Sequence, residues 1–246
     1  MLNRRDFLRT VATGAGALAV APAGRGQAPE THRPNVILLM TDDQGRGDAG
    51  YQGHPALKTP NLDAMAANGL RFNRWYAAAP VCSPTRASCL TGRHPARLGI
   101  SSANEGCLPH GEVNLAEVLR AHGYRTGHFG KWHLGTLTRV VKDSNRGGPL
   151  AGELYAPPWE HGFDVCFSTE SRAPTWDPML APEREAGVLR RGQRPGKSFQ
   201  TYYWTGPGQI ATDNLSGDDS RVIMDRVLPF VENAVRDDRP FFAVVW

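Results

Sequence analysis

The sequence predicts an α/β fold, a mostly parallel central sheet flanked by helices, and three stretches carry the prediction. Asn35-Val36-Ile37-Leu38-Leu39-Met40 is a continuous apolar run closed by Thr41-Asp42-Asp43-Gln44-Gly45. That is the pattern of a strand buried on both faces and bounded by turn residues. Leu115, Val118 and Leu119 recur at helical spacing before Gly123, and a short strand follows at once over 124–129. Val222, Ile223, Val227, Val231 and Ala234 repeat the helical pattern ahead of a second apolar run over 240–246. Helices alternating with strands in this way build parallel sheets.

In chain order, residues 1–23 read as an address. Asn3-Arg4-Arg5-Asp6-Phe7-Leu8-Arg9 and the small apolar run after it resemble a twin-arginine export signal, with Ala21-Pro22-Ala23 as the cleavage site. The run is too short to span a bilayer, so no stable membrane span is expected. Export through the twin-arginine translocase to the periplasm or the extracellular space follows. Residues 24–34 are a polar Gly/Pro linker, and 35–246 form the remaining domain.

The first strand delivers Asp42 and Asp43 to its carboxyl end, where open α/β sheets place ligands. An adjacent carboxylate pair suits a hard cation such as calcium, with magnesium second, or else a solvated turn. Thr59-Pro60 starts a helix that Gly69 closes, with Leu62 and Met65 on its apolar side and Asp63 complementing the dipole of the first turn. Residues 70–76 read as a second strand leading to Pro80-Val81-Cys82-Ser83-Pro84-Thr85-Arg86-Ala87-Ser88-Cys89-Leu90-Thr91-Gly92-Arg93. Here Ser83 is the expected N-cap, Pro84 the first helical residue, and Gly92 the stop. Cys82 then sits at the positive end of a helix with Arg86 about a turn further in, a place to grip an anion. A structural cysteine on a helix cap is the plainer reading of that motif alone.

Cys82-x-Pro84-x-Arg86 followed by Thr91-Gly92-Arg93 resembles the signature of type I sulfatases, which belong to the alkaline-phosphatase-like superfamily. Gly123-Tyr124-x-Thr126-x-x-x-Gly130-Lys131-Trp132-His133-Leu134-Gly135 resembles the second signature of the same family. The resemblance implies that Cys82 is converted by a formylglycine-generating enzyme to formylglycine (3-oxoalanine), whose hydrate attacks the sulfur of a sulfate ester. It further implies that Asp42 and Asp43 hold a calcium ion that also touches residue 82 and that Lys131 contacts the sulfate. By the same resemblance Arg86 and Lys131 neutralise charge on the hydrate and the sulfuryl group, and His133 orients the hydrate or exchanges a proton with it. From spacing alone, Lys131 and His133 are two apart and project from one face of an extended segment.

Residues 136–217 lack periodicity and are rich in Gly, Pro, Arg and Trp, which suggests an excursion that shapes substrate access. His161, Trp176, Tyr202, Tyr203 and Trp204 line a sugar pocket or, more simply, pack. Asp218 caps the following helix, which Pro229 should kink or divide. Four cysteines, Cys82, Cys89, Cys107 and Cys166, leave an odd number after conversion of Cys82 and argue against a disulfide framework. The formal charge of +4 comes with no basic stripe, so nucleic acid is not an expected partner. The expected substrate is a sulfated small molecule or carbohydrate. A phosphonate or phosphodiester hydrolase of the same superfamily is the rival enzyme, and a non-catalytic fragment the rival from another class. In the family, further site residues follow the strand at 240–246, so the chain reads as the N-terminal portion of a sulfatase, inactive by itself.

Overall fold

The computed structural model describes residues 33–182 and 194–246; the expected export signal and residues 24–32 of the linker lie outside them. Six strands, β1 (Val36–Leu39), β2 (Arg125–Lys131), β3 (Val165–Thr169), β4 (Trp204–Gly206), β5 (Gln209–Ile210) and β6 (Phe241–Val245), form one sheet in the order β1-β6-β2-β3-β4-β5. The first four in that order run parallel, and β4 and β5 complete the sheet antiparallel. The α-helices are α1 (Pro60–Asn68), α2 (Cys82–Thr91), α3 (Leu115–Ala121) and α4 (Asp219–Arg236).

β6 lies between β1 and β2 and is buried throughout because its side chains alternate into two cores. Phe242 and Val244 pack with Ala87, Leu90 and Ala116 from α2 and α3. Phe241, Ala243 and Val245 pack with Val222, Val227, Phe230 and Ala234 from α4. Asp218 caps α4 by accepting the Arg221 N–H at 2.9 Å, as its sequence position suggests. The helix is not divided: it runs through Pro229, which sits on the solvent side where the lost hydrogen bond is least costly.

Other elements depart from the expectation. β1 is buried on one face only, with Ile37 and Leu39 53% and 59% exposed. It is the edge of the sheet, and α4, which covers that face, lies on β2, β3 and β6. Residues 70–76 form no strand; Leu70, Phe72, Trp75 and Tyr76 are exposed, and strand-favouring side chains without a partner strand leave a loop. α1 buries none of its residues, and Met65 is exposed. Asp63 accepts the Thr59 hydroxyl at 2.8 Å and the Tyr51 N–H at 2.7 Å, tying α1 to the preceding turn. In α3 the buried residue is Ala116, while Leu115 and Val118 are exposed. A Cβ on Gly162 would come within 2.6 Å of Glu117 N, so the start of α3 lies against backbone that has no room for a side chain at 162. The irregular region 136–217 also supplies β3, a strand in the body of the sheet.

Candidate active site

The carboxyl edge of the parallel strands gathers residues far apart in sequence. Pairing continues beyond the strands: Met40 N–H donates to Val245 O at 3.0 Å, Lys131 N–H to Trp246 O at 2.9 Å and His133 N–H to Glu170 O at 2.8 Å. Asp42, Lys131, His133 and Glu170 are thereby delivered to one edge, the usual ligand side of such sheets.

α2 adds Arg86. Its side chain is only 1% exposed, and Nη2 donates to Asp42 Oδ1 at 2.9 Å. Nη1 donates to Lys131 O at 3.2 Å, and the guanidinium carbon lies 5.2 Å from the centre of the Trp246 ring. Lys131 Nζ donates to the other oxygen, Asp42 Oδ2, at 2.7 Å. One carboxylate therefore bridges two cations, and the trio carries net positive charge. Burial pushes the Asp42 carboxyl up, but the hydrogen bonds and charges of Lys131 and Arg86 outweigh it and hold the group below its usual range. Burial pulls Arg86 down, opposed by Asp42.

The start of α2 differs from the expectation. The helix begins at Cys82 after Val81 in an extended conformation, so Ser83 is not the N-cap and Pro84 is the third helical residue. Thr85 Oγ1 donates to Ala79 O at 2.7 Å and turns the preceding chain back across the first turn. No side chain caps the helix, and Ser83 Oγ is buried with no hydrogen-bond partner among the described residues. Cys82 is half-buried at this uncapped positive end, one turn from Arg86 and electrostatically coupled to it.

Lys131 and His133 do not share one extended face. β2 ends at Lys131, and His133 takes a left-handed conformation at φ 55°, so the two-residue period lapses between them. His133 is buried, and burial, followed by the charges of Lys131, Arg146 and Arg86, pushes its imidazole down to about 3. It is neutral at pH 7. Around it stand residues that sequence reasoning missed: Asn104, Asn145, Arg146 and Glu170. Asn104, Asn145 and Arg146 lie in turns with Asn and Gly, where only turn chemistry was visible beforehand, and Glu170 directly follows β3 with no periodic signal.

Asp43 also has a left-handed backbone, at φ 55°, and is exposed; its charge reaches Arg86. Among the described residues no group of three or more His, Cys, Asp or Glu is arranged around a metal ion. Asp42, with its side chain 41% exposed, and Asp43 nevertheless offer two hard carboxylates toward solvent, and that donor chemistry fits part of a calcium shell. Of the aromatic candidates in 136–217, His161, Tyr203 and Trp204 are buried and pack, while Trp176 is exposed.

A model of the family described as Sulfatase matches residues 34–246. Arylsulfatase A of Bos taurus is 47% identical over 131 residues, covering 51% of this chain and 24% of that protein. N-acetylgalactosamine-6-sulfatase of Canis lupus familiaris is 34% identical over 238 residues, covering 92% of this chain and 41% of that protein. The crystal structure of the PsFucS1 sulfatase from Pseudoalteromonas sp. superposes with a TM-score of 0.61 at 25% identity, covering 86% of this chain and 43% of that one. The chain thus spans less than half the length of each of these relatives. Among the described residues no helix is long and apolar enough to cross a membrane.

Proposed function

The chain belongs to the sulfatase family, with its alkaline-phosphatase-like fold, and from that premise we propose that the protein hydrolyses sulfate esters at the cluster around Cys82. The observation that carries the reading is the carboxylate of Asp42 bridging Arg86 and Lys131 beside the uncapped helix start at Cys82.

Conversion of Cys82 to formylglycine by a maturation enzyme supplies a hydrated aldehyde. One hydroxyl attacks sulfur as the S–O bond to the alcohol breaks and the alcohol leaves. The other then expels sulfate and restores the aldehyde, which water rehydrates. Asp42 and Asp43 would hold a calcium ion, which would add positive charge at the sulfate. Arg86 is held by Asp42, the Lys131 carbonyl and the Trp246 ring, so its charge is aimed before substrate arrives. Fixed cations of this kind stabilise charge on the transferring sulfuryl group without reorganising at the moment of reaction. Lys131, with its side chain 14% exposed, is the cation nearer solvent and meets the incoming anion. His133, neutral at working pH, takes a proton and passes it on.

We assign the substrate to sulfated carbohydrate, since the N-acetylgalactosamine-6-sulfatase match extends over 92% of this chain whereas the arylsulfatase A match extends over 51%. Export through the twin-arginine translocase is part of the proposal and rests on Arg4 and Arg5 with the apolar run after them. Peptide mass analysis of residue 82 in protein from its native host tests the chemistry, with replacement of the thiol by an aldehyde as the expected result. An unmodified thiol there, or turnover of an aryl phosphate well above that of the matching aryl sulfate, overturns the reading.

A further inference from the structure

We infer that Asn104 is a positioning residue for His133: its side-chain oxygen holds the imidazole in the tautomer protonated at Nε2 and leaves Nδ1 as the proton acceptor of the site. Asn104 Oδ1 lies 2.9 Å from His133 Nε2, and Asn145 Nδ2 donates to the same oxygen at 2.8 Å. An atom already receiving an amide N–H is acting as an acceptor, so the ring nitrogen facing it carries hydrogen. A neutral imidazole has one N–H, and Nδ1 is therefore a bare lone pair. That atom is buried and has no hydrogen-bond partner among the described residues. A buried acceptor without a donor is costly in a folded protein. It is retained here among Lys131, Arg146, Arg86 and Asp42, the charged groups felt by the ring. Three cations against one carboxylate favour rapid loss of any proton the ring accepts, as a relay requires.

A contact that sets a tautomer needs a rigid frame, and this one has it. Asn145 Nδ2 also donates to Ser171 Oγ at 3.1 Å, and Arg146 Nη1 donates to Gly106 O at 2.7 Å. The Glu170 carboxylate, fully buried, receives Arg146 Nε and Arg146 N, each at 3.1 Å, and Gly147 N at 3.3 Å. The Asn104 loop is thereby tied through 145–147 to the end of β3, and Glu170 O also receives the backbone N–H of His133. Ring and acceptor are fixed by the same few residues.

The catalytic part of this inference rests on the proposed sulfate-ester chemistry, whereas the tautomer does not. Long-range ¹H–¹⁵N correlation NMR of the full chain labelled with ¹⁵N-histidine reads both ring nitrogens, with His133→Gln supplying the assignment. The wild-type chain is expected to show the Nε2–H pattern at neutral pH, and Asn104→Asp to keep it. Asn104→Leu, which removes the acceptor at similar volume, is expected to give an Nδ1–H or mixed pattern. His128, whose Nδ1 lies 2.7 Å from Ser168 Oγ, is the fold control within the same spectra. An Nδ1–H pattern in the wild type overturns the inference whatever the variants do. So does an unchanged pattern in Asn104→Leu with His128 unmoved. In the matured full-length protein, kcat on an aryl sulfate is expected to fall on the order of 100-fold in Asn104→Leu with little change in KM. A tautomer change with wild-type kcat overturns the acceptor role of Nδ1. Absence of turnover in the matured full-length wild type overturns the proposed function and leaves the tautomer result standing.

Discussion

Arg86 and Asp42, 44 residues apart, meet through a hydrogen bond of 2.9 Å in which the arginine is buried and the aspartate partly open to solvent. The asymmetry makes their substitutions unequal. Asp42→Ala strands a buried guanidinium and is expected to cost about 3 kcal/mol, the lower end for a broken buried pair because Asp42 is partly hydrated. Arg86→Met, which removes the buried charge, should cost less, and the double variant should recover part of the loss of Asp42→Ala. Urea unfolding of the three variants checks this; equal midpoints for Asp42→Ala and wild type would refute it.

Lys131 is the cation of the Asp42 cluster nearer solvent, and the proposed role for it is to meet the incoming anion. Inorganic sulfate should raise the Tm of the wild-type chain in a saturable manner, by the linkage that stabilises any folded state with a bound ligand. In Lys131→Met the saturable part is expected to shrink, leaving only the general salting effect common to both proteins. Identical sulfate dependences in a thermal-shift titration would remove Lys131 from anion binding.

Gly130 is required by a close approach between strands. Its φ is +95°, and a Cβ there would lie 1.9 Å from Trp246 O. Gly130→Ala must push β2 away from the chain after β6, so a loss of about 4 kcal/mol or more is expected. Circular dichroism melts should show a collapsed Tm or no soluble protein, and a near-wild-type Tm would contradict the packing described.

Asp143 gives a pH dependence of definite sign. Burial first, and the charge of Glu170 after it, outweigh the Trp204 hydrogen bond and push its carboxyl up to about 7. Between about pH 4 and 7 the folded state therefore holds a proton that the unfolded state has released, so this group makes stability fall as pH rises through that window. The contribution is as much as about 4 kcal/mol, from a displacement of about three units. Asp143→Asn should lose that decline, seen as a flatter stability curve from pH 5 to 8 in chemical denaturation. Parallel curves for variant and wild type would refute the assignment.

The parts of this site visible in sequence were those with local chemistry. Asp42 after an apolar run, Cys82 and Arg86 at a helix start, and Lys131 after a strand each announced a position, and the sheet brings three of these segments together. The parts that stayed hidden depend on contacts between irregular segments. Arg146 and Glu170 are 24 residues apart with no shared period, and Asn104 reaches His133 across 29. The sequence also overstated burial: Ile37 and Leu39 looked like core residues because an edge strand and a central strand share one apolar pattern when the covering helix lies elsewhere. Ser83 and Pro84 suggested a start for α2 two residues late, since capping preferences are weaker than the tether from Thr85 to Ala79.

The strand order has a consequence for how the molecule is made. Val36 pairs with Phe242, a loop closure of 206 residues, and β2 waits for the same partner. During synthesis β1 and β2 emerge with a gap between them that only the last of the described strands can fill, and Asp42 cannot settle against Lys131 while the gap is open. Such distant pairings are slow to form and leave strand edges uncovered meanwhile. The growing chain therefore carries an unfilled seam from the emergence of β2 until β6 follows, and the cluster of Asp42, Arg86 and Lys131 closes only after that.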